Sequence, residues 1–233
     1  MNEPLFFAAA LPAVGETIVL TGEEAQHIAG ARRVRSGDTL WLFDGYGTLA
    51  RTALLSADKR ARSVELRIEE LRTEPTPTRQ LHLACALPKG DRQSVLLDIA
   101  TQLGMTDFTP LRCERSVVTA GEHSAERWGR VCLGACKQSR RLFLPRLHSE
   151  VAPQGLNPRG TVLLAHPDGA PLRSVLPDSV TPVTALIGPE GGFTERELLA
   201  FEAAGTRRVS LGPAILRIEA AAVALLAAVQ LGR

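Results

Sequence analysis

Two short stretches of this chain concentrate the groups that could do chemistry. IGPEGGFTERE, residues 187–197, joins two separated glycine positions, a proline and carboxylates, with no nucleophile and no phosphate-gripping lysine. LGPAILRIEAA, residues 211–221, repeats the Gly-Pro step and follows it with Arg217 and Glu219. Neither matches G-x-x-x-x-G-K-[ST], and no glycine-rich fingerprint of the Rossmann type is present, so a triphosphate-binding loop is disfavoured. Glycines in such a loop let a ligand approach the bare backbone, which suits a small ligand without phosphate. The same Gly188, Gly191 and Gly192 read equally well as a tight turn and nothing more.

The flanking residues indicate what positions these loops. VTALIG, residues 183–188, reads as a short buried strand, while Thr194 and Glu197 have capping-box spacing ahead of a helix that Gly205 ends. GPEGGF is therefore a strand-to-helix loop, of the kind that lies outside the carboxyl ends of strands where α/β sheets bind ligands. The second stretch also leaves a strand, RRVSLG, and enters a helix, so the two loops can wall one pocket.

EPTPT, residues 74–78, is a proline-spaced break between two unlike halves. After it, LHLACAL and TDFTPL read as strands, and DRQSVLLDIATQLG and GEHSAERWGRVCLGACKQSRR as helices. TVLLAH, VTALIG and RRVSLG supply further strands. Strands alternating with helices of this length predict an α/β domain with a parallel sheet covered on both faces. Before the break, TIVL, DTLWLF, TLARTALL and RSVELRI read as short strands, with a hairpin-type turn at Asp44 and Gly45. One helix interrupts them, opened by Thr21 and Glu24 at capping-box spacing, with His27, Arg32, Arg33 and Arg35 near its end. The expected organisation is a mainly β domain over residues 1–73, a linker over 74–78 and an α/β domain over 79–233. GYGTLA, residues 45–50, matches G-x-G-x-x-A, but a strand-like run follows where a dinucleotide site needs a helix, so it reads as a hairpin.

Composition narrows the function classes. At 233 residues and 45% hydrophobic, the chain can bury a real core and carries no low-complexity tract or repeat. Its net charge of +2 is unevenly spread: residues 1–75 carry 9 basic and 11 acidic side chains, residues 112–146 carry 8 and 3. That basic segment reads as a phosphate partner's footprint or as a solvated helix face. The opening has no basic region before its apolar run, so a secretory signal is not expected and a cytoplasmic location is. Residues 220–231 are apolar but too short to span a bilayer, so no membrane association is expected and a buried or subunit-contact helix is. The four cysteines fit no disulfide framework. Cys132 and Cys136 share a helix face, but no nearby pair completes a zinc set, so no metal is expected.

GPEGGF followed by LG.ILR.E.A closely resembles the small-subunit ribosomal RNA uridine N3-methyltransferase family, a branch of the SPOUT methyltransferases with a trefoil knot. HIAGARRVRSGD is similar to that family's HL..VLR...GD, LPKGDRQSVLLDIATQLGMTDFTPL to its K..R.....QKATELG...I.P, and QSRRLFLP to its Q-S-x-R...P. The resemblance covers nearly the whole chain. Departures are the missing arginine in EPLFF, Gln102 in place of a glutamate, and Ile218 and Ala220 where R-T-E-T is usual.

The resemblance implies an α/β fold: a C-terminal SPOUT-type α/β domain with a deep trefoil knot, plus a small mainly-β PUA-like N-terminal domain. It implies S-adenosylmethionine as cofactor, held by Leu164, Ala165 and His166, by Gly188, Pro189, Glu190, Gly191 and Gly192, and by Leu211, Gly212, Ile215 and Leu216. The implied substrate is a uridine of 16S rRNA within the small ribosomal subunit. Its N3 proton must leave, so a base is needed, and Glu190 and Glu219 are the candidates. Glu190 equally well orients its loop, and Glu219 equally well complements a helix start. Arg217 either stabilises the uracil oxygens or clamps a phosphate or a knot carbonyl. His27, Arg32, Arg33, Arg35, Lys89, Arg92, Gln138, Arg140 and Arg141 are the expected RNA contacts. A homodimer built on residues 215–229 is implied as well. The competing reading is a noncatalytic RNA-binding or ribosome-assembly factor that kept the fold and lost turnover through Ile218 and Ala220.

Overall fold

The computed structural model describes residues 4–30, 35–58, 60, 62–176 and 180–232. They fall into two compact units, residues 1–76 with 136–144, and residues 77–135 with 145–233.

In the first unit, β1 (Leu5–Phe7), β2 (Thr17–Thr21), α1 (Gly22–Gly30), β3 (Thr39–Phe43), β4 (Thr48–Asp58) and β5 (Ser63–Thr73) form a sheet of order β1-β3-β4-β5-β2 with one helix. β1 runs parallel to β3 and the other pairs are antiparallel. Three residues are too few for a period-two signal, which is why sequence patterning misses β1. Leu40, Leu42, Leu54, Leu66 and Ile68 turn one sheet face onto Ala25 and Ile28 of α1, giving this unit its own core. Glu24, expected in a capping box with Thr21, has its two oxygens taken by tertiary partners, the Phe7 N–H at 3.4 Å and the Lys137 ammonium at 2.7 Å.

The second unit runs β6 (Leu81–Ala86), α2 (Arg92–Gln102), β7 (Asp107–Leu111), α3 (Ser124–Ser139), β8 (Arg146–Leu147), β9 (Thr161–Pro171), β10 (Val183–Ile187), α4 (Glu195–Ala203), β11 (Arg207–Ser210) and α5 (Ile218–Leu231). The last turn of α3 clusters with the first unit. The six strands pair in the order β11-β9-β10-β6-β7-β8, every pair parallel.

Alternation along the strands divides the core into two layers. Leu81, Leu83, Cys85, Val183, Ala185 and Ile187 face a layer that includes Leu96 and Leu97 of α2, Trp128 of α3, and Leu225, Leu226 and Val229 of α5. Ala84, Ala86, Leu164 and Leu186 face the other way, onto Phe193 and onto Leu198 and Phe201 of α4. Because both faces are buried, these strands read as unbroken apolar runs, LHLACA and VTALI, instead of alternating ones. The chain builds from β6 outward through β7 and β8, then returns on the other side of β6 for β9, β10 and β11. Strand order thus reverses between β6 and β10, and α/β sheets bind ligands beyond the carboxyl ends of their strands at such reversals.

Candidate active site

Three chain segments leave β9, β10 and β11 and border one cavity of about 520 Å³, within the size range of small-ligand sites. The segment after β10 is held at its far end by a complete capping box. The Thr194 N–H donates to Glu197 Oε2 at 2.8 Å, and the Glu197 N–H donates to Thr194 Oγ1 at 3.3 Å. Glu197 is 1% exposed and its other oxygen accepts the Glu114 N–H at 2.9 Å, so this buried carboxylate is charge-compensated by backbone donors.

Within the GPEGGF loop, Gly192 sits at φ 68 and its N–H donates to the Pro189 carbonyl at 2.8 Å, a turn that suits glycine. A Cβ on Gly188 would lie 2.9 Å from the Phe193 ring, which packs edge-on against Phe201. Arg115 crosses to this loop from the segment after β7 and donates from Nη1 to the Gly191 carbonyl at 2.8 Å. Its side chain also lines the cavity. In the sequence Arg115 was visible only as one cation in a basic segment.

The wall from β9 arises from an interruption in the sheet. Against β11, the register jumps from Arg208 opposite Leu164 to Val209 opposite Ala170. Residues 165–169 therefore bulge out between two consecutive residues of β11, and Ala165, His166 and Pro167 reach the cavity. Gly169 closes the bulge: a Cβ there would stand 2.4 Å from the backbone N and C of Val209. Leu164, expected among the cofactor residues, is the last residue of β9 paired with β10. It is 1% exposed in the α4-side core and is not part of the lining.

The third wall is the loop from β11 to α5. Leu211, Gly212, Ile215, Leu216 and Arg217 border the cavity, with Gly212 at φ 131. Ile215 is 93% exposed, an apolar side chain at the rim. Arg217 stands at the N-cap of α5 in extended backbone, its carbonyl accepting the Ala221 N–H at 2.8 Å and its side chain exposed.

The two candidate carboxylates part company here. Glu190 is exposed and lines the cavity. Glu219 is not among the lining residues. Its Oε1 lies 3.8 Å from Nη1 of Arg92, and its buried Oε2 has no hydrogen-bond partner among the described residues. Arg92, expected on RNA, is turned to this ion pair and to the Lys89 carbonyl at 3.3 Å. Cys85 and Cys113 offer no nucleophile. Burial pushes the Cys85 thiol up, helped by Cys113, Glu219 and Glu190. Burial and the nearby Glu197 push Cys113 up to about 12.

The other expected RNA contacts are spread over both units. His27, Arg35, Gln138 and Arg140 are exposed on the first unit and Lys89 on the second, while Arg141 is half-buried and donates from Nε to the Phe143 carbonyl at 2.8 Å. Arg32 and Arg33 lie outside the described residues.

Residues 74–230 match the family of RNA methyltransferase domains, and residues 20–67 match the RNA methyltransferase PUA domain. The ribosomal RNA small subunit methyltransferase E of Mycobacterium bovis is 31% identical, over 97% of this chain and 90% of its own. That of Bacillus subtilis is 30% identical, over 91% and 89%. Among solved structures, the ribosomal RNA small subunit methyltransferase E from Neisseria gonorrhoeae, bound to S-adenosyl methionine, is similar with a TM-score of 0.88 at 28% identity, covering 99% of this chain and 98% of that one.

Proposed function

From a chain that belongs to the ribosomal RNA small subunit methyltransferase E family of RNA methyltransferases, we propose an enzyme that transfers the methyl group of S-adenosylmethionine to N3 of one uridine in 16S ribosomal RNA. The observation that carries this reading is the cavity itself. Its three walls bring the glycine-rich backbone of residues 188–192 and 212 together with Ala165, Ile187, Leu211 and Leu216; among the described residues no cysteine or lysine lines it, and the one serine, Ser210, is bonded to the Gly212 backbone. Such a lining fits a ligand held by backbone groups and apolar contact. S-adenosylmethionine supplies, when bound, a methyl group already activated on a sulfonium, so the protein has to position and to manage one proton.

Glu190 is the carboxylate placed to take the N3 proton of the uracil imide as the methyl arrives, because it borders the cavity and Glu219 does not. Glu219 serves as the anchor of Arg92. Arg217, also on the lining, stabilises the negative charge that develops on the uracil oxygens when the proton leaves. Arg115 holds the carbonyl of Gly191 and so fixes that loop at the cavity. For RNA, Arg35, Lys89, Gln138, Arg140 and Arg141 position the substrate mainly through phosphate.

The outer face of α5 supports a homodimer. Ala220, Ala224, Ala227 and Leu231 lie opposite the buried Ala222, Leu225 and Val229, and Leu231 is 74% exposed. A helix apolar all round needs cover on its second face. The return of α5 over β10 and β6, after an edge strand β11, is consistent with the trefoil knot that the family resemblance implies. The noncatalytic reading finds less support. Ile218, 4% exposed, borders the cavity where the family has a threonine, and Ala220 stands outside the lining, so the departures remove one hydroxyl from the wall and leave Glu190 and Arg217 on it.

The test is transfer itself. Purified protein with labelled S-adenosylmethionine and small subunits lacking the modification should yield 3-methyluridine at one site of 16S rRNA, identified by mass spectrometry, and Gly191→Arg should abolish it. Label recovered on another base, or cofactor bound without transfer to subunits or naked 16S RNA, would sink the proposal.

A further inference from the structure

The chain has seven Phe, two Trp and one Tyr, and among them Tyr46 alone is exposed, at 80%. It stands at the tip of the β3–β4 hairpin, in the GYG sequence that resembles a dinucleotide motif and belongs to none. An aromatic ring left in water on a floppy tip would carry no argument. This one has a stiff pedestal. Asp44 Oδ1 accepts the N–H groups of Tyr46 at 2.7 Å and of Thr48 at 3.0 Å. Gly45 and Gly47, at φ 80 and 102, bend the chain on either side. The Leu144 N–H donates to the Gly45 carbonyl at 2.9 Å, and the Gly47 N–H donates to the Leu142 carbonyl at 3.1 Å. Both glycines are needed for this fit, since a Cβ would meet Leu144 at 2.7 Å or Phe143 at 2.4 Å.

The segment that clasps the hairpin is basic. Tyr46 bridges Phe143, whose carbonyl receives the Nε–H of Arg141 at 2.8 Å. The Arg141 guanidinium is thereby held at the backbone of the residue that pairs with Tyr46. Arg140 and Gln138, both exposed, precede it, and residues 136–144 contain three basic side chains and no acidic one. An exposed π-face beside guanidinium groups is the arrangement that holds an unpaired nucleotide, with the base stacked on the ring and the phosphate drawn to the cations.

We propose that Tyr46 is a stacking platform for one unpaired nucleobase of the substrate RNA, with Arg140 and Arg141 taking the adjoining phosphate. The site lies wholly within the first unit and rests on the reading of the substrate as RNA. It separates two physical contributions: stacking, which is insensitive to salt, and phosphate contact, which is not.

The experiment is filter binding of small ribosomal subunits lacking the modification, at several salt concentrations, with cofactor binding measured in parallel by calorimetry. Tyr46→Ala should weaken RNA binding by roughly 5- to 150-fold, the equivalent of 1–3 kcal/mol per stacked base, with the slope of log K against log salt and the cofactor affinity unchanged. Tyr46→Phe and Tyr46→Trp should keep the affinity to within about a factor of two, since the π-face remains. Arg141→Gln should lower the salt slope by about 0.7, as loss of one single-strand phosphate contact requires. Equal binding by wild type and Tyr46→Ala overturns the platform and leaves the RNA reading standing. A Phe variant as weak as the Ala variant overturns it too, because a hydroxyl contact would then be responsible. No binding by the wild type removes the RNA reading and the platform with it.

Discussion

Glycine acts at this site in two different ways, and each gives a distinct expectation. Gly192 is required by its backbone conformation, φ 68 with open space around a would-be Cβ. Gly192→Ala should cost on the order of 1 kcal/mol and weaken cofactor binding severalfold without unfolding the protein. Gly169 is required by contact, its would-be Cβ standing against the Val209 backbone. Gly169→Ala should therefore cost about 1–3 kcal/mol and lower both the melting temperature and the cofactor affinity. Calorimetry on the two variants distinguishes the cases, and an unchanged melting temperature for Gly169→Ala would contradict the bulge geometry. Arg217 belongs to a third kind of position, exposed on the cavity wall with its backbone fixed at a helix start. Arg217→Ala should lower kcat by roughly a hundredfold, with cofactor affinity nearly unchanged. If KM for RNA rose while kcat held, Arg217 would be a phosphate clamp.

The starts of β6, β7 and β8 hold a polar cluster that no motif announced. His82 is 7% exposed and its Nε2 meets Thr109 Oγ1 at 2.8 Å, while Asp107 Oδ1 lies 2.9 Å from His148 Nε2 and 3.2 Å from Arg146 Nε. Burial holds the His82 imidazole down to about 4 from 6.5, with Asp107 opposing and His148 and Arg159 assisting. The unfolded chain therefore binds the proton first as pH falls, and folded stability decreases from about pH 6.5 downward until His82 itself titrates near 4. The loss over that window is on the order of 3 kcal/mol. For Asp107 burial acts upward, but hydrogen bonds from His148 and Thr106 and the charge of Arg146 outweigh it, and the carboxyl stays below its ordinary range. Its contribution is lost only at still lower pH. Urea unfolding at pH 7 and pH 4.5 measures the effect, and His82→Gln, which can still reach Thr109, should flatten it. Equal pH dependence in the variant would place the sensitivity elsewhere.

For the whole molecule, the outer apolar face of α5 carries the expectation of association. Ala224→Arg puts a long cation in the middle of that face and should convert a dimer to a monomer in sedimentation at micromolar concentration. A wild-type protein that sediments as a monomer would remove the dimer. Ile215, at 93% exposure on the cavity rim, ties that question to the cofactor site. Ile215→Asp should affect both association and cofactor affinity, whereas Ala224→Arg changes association first.

Much of this protein was legible in the chain. The parallel strands, the capping box at Thr194 and Glu197 and the strand-to-helix loop all follow from local periodicity and spacing. The glycine-rich walls and the family resemblance are contiguous motifs, and contiguous motifs survive without a fold. What the chain could not show were relations between distant residues: Arg92 meeting Glu219 across the second unit, Arg115 reaching Gly191, Leu164 turning into the core one residue before Ala165 reaches the cavity. The last depends on a register jump against β11, and register is set by pairing between strands that are far apart in sequence. Glu24 shows the same limit, its carboxylate taken by Phe7 and Lys137 where local spacing assigned it to Thr21. Local patterns report what each residue can do with its neighbours in the chain. Which of those options is taken is decided by the neighbours in space, because a side chain's few polar atoms go to whichever partners burial brings within reach.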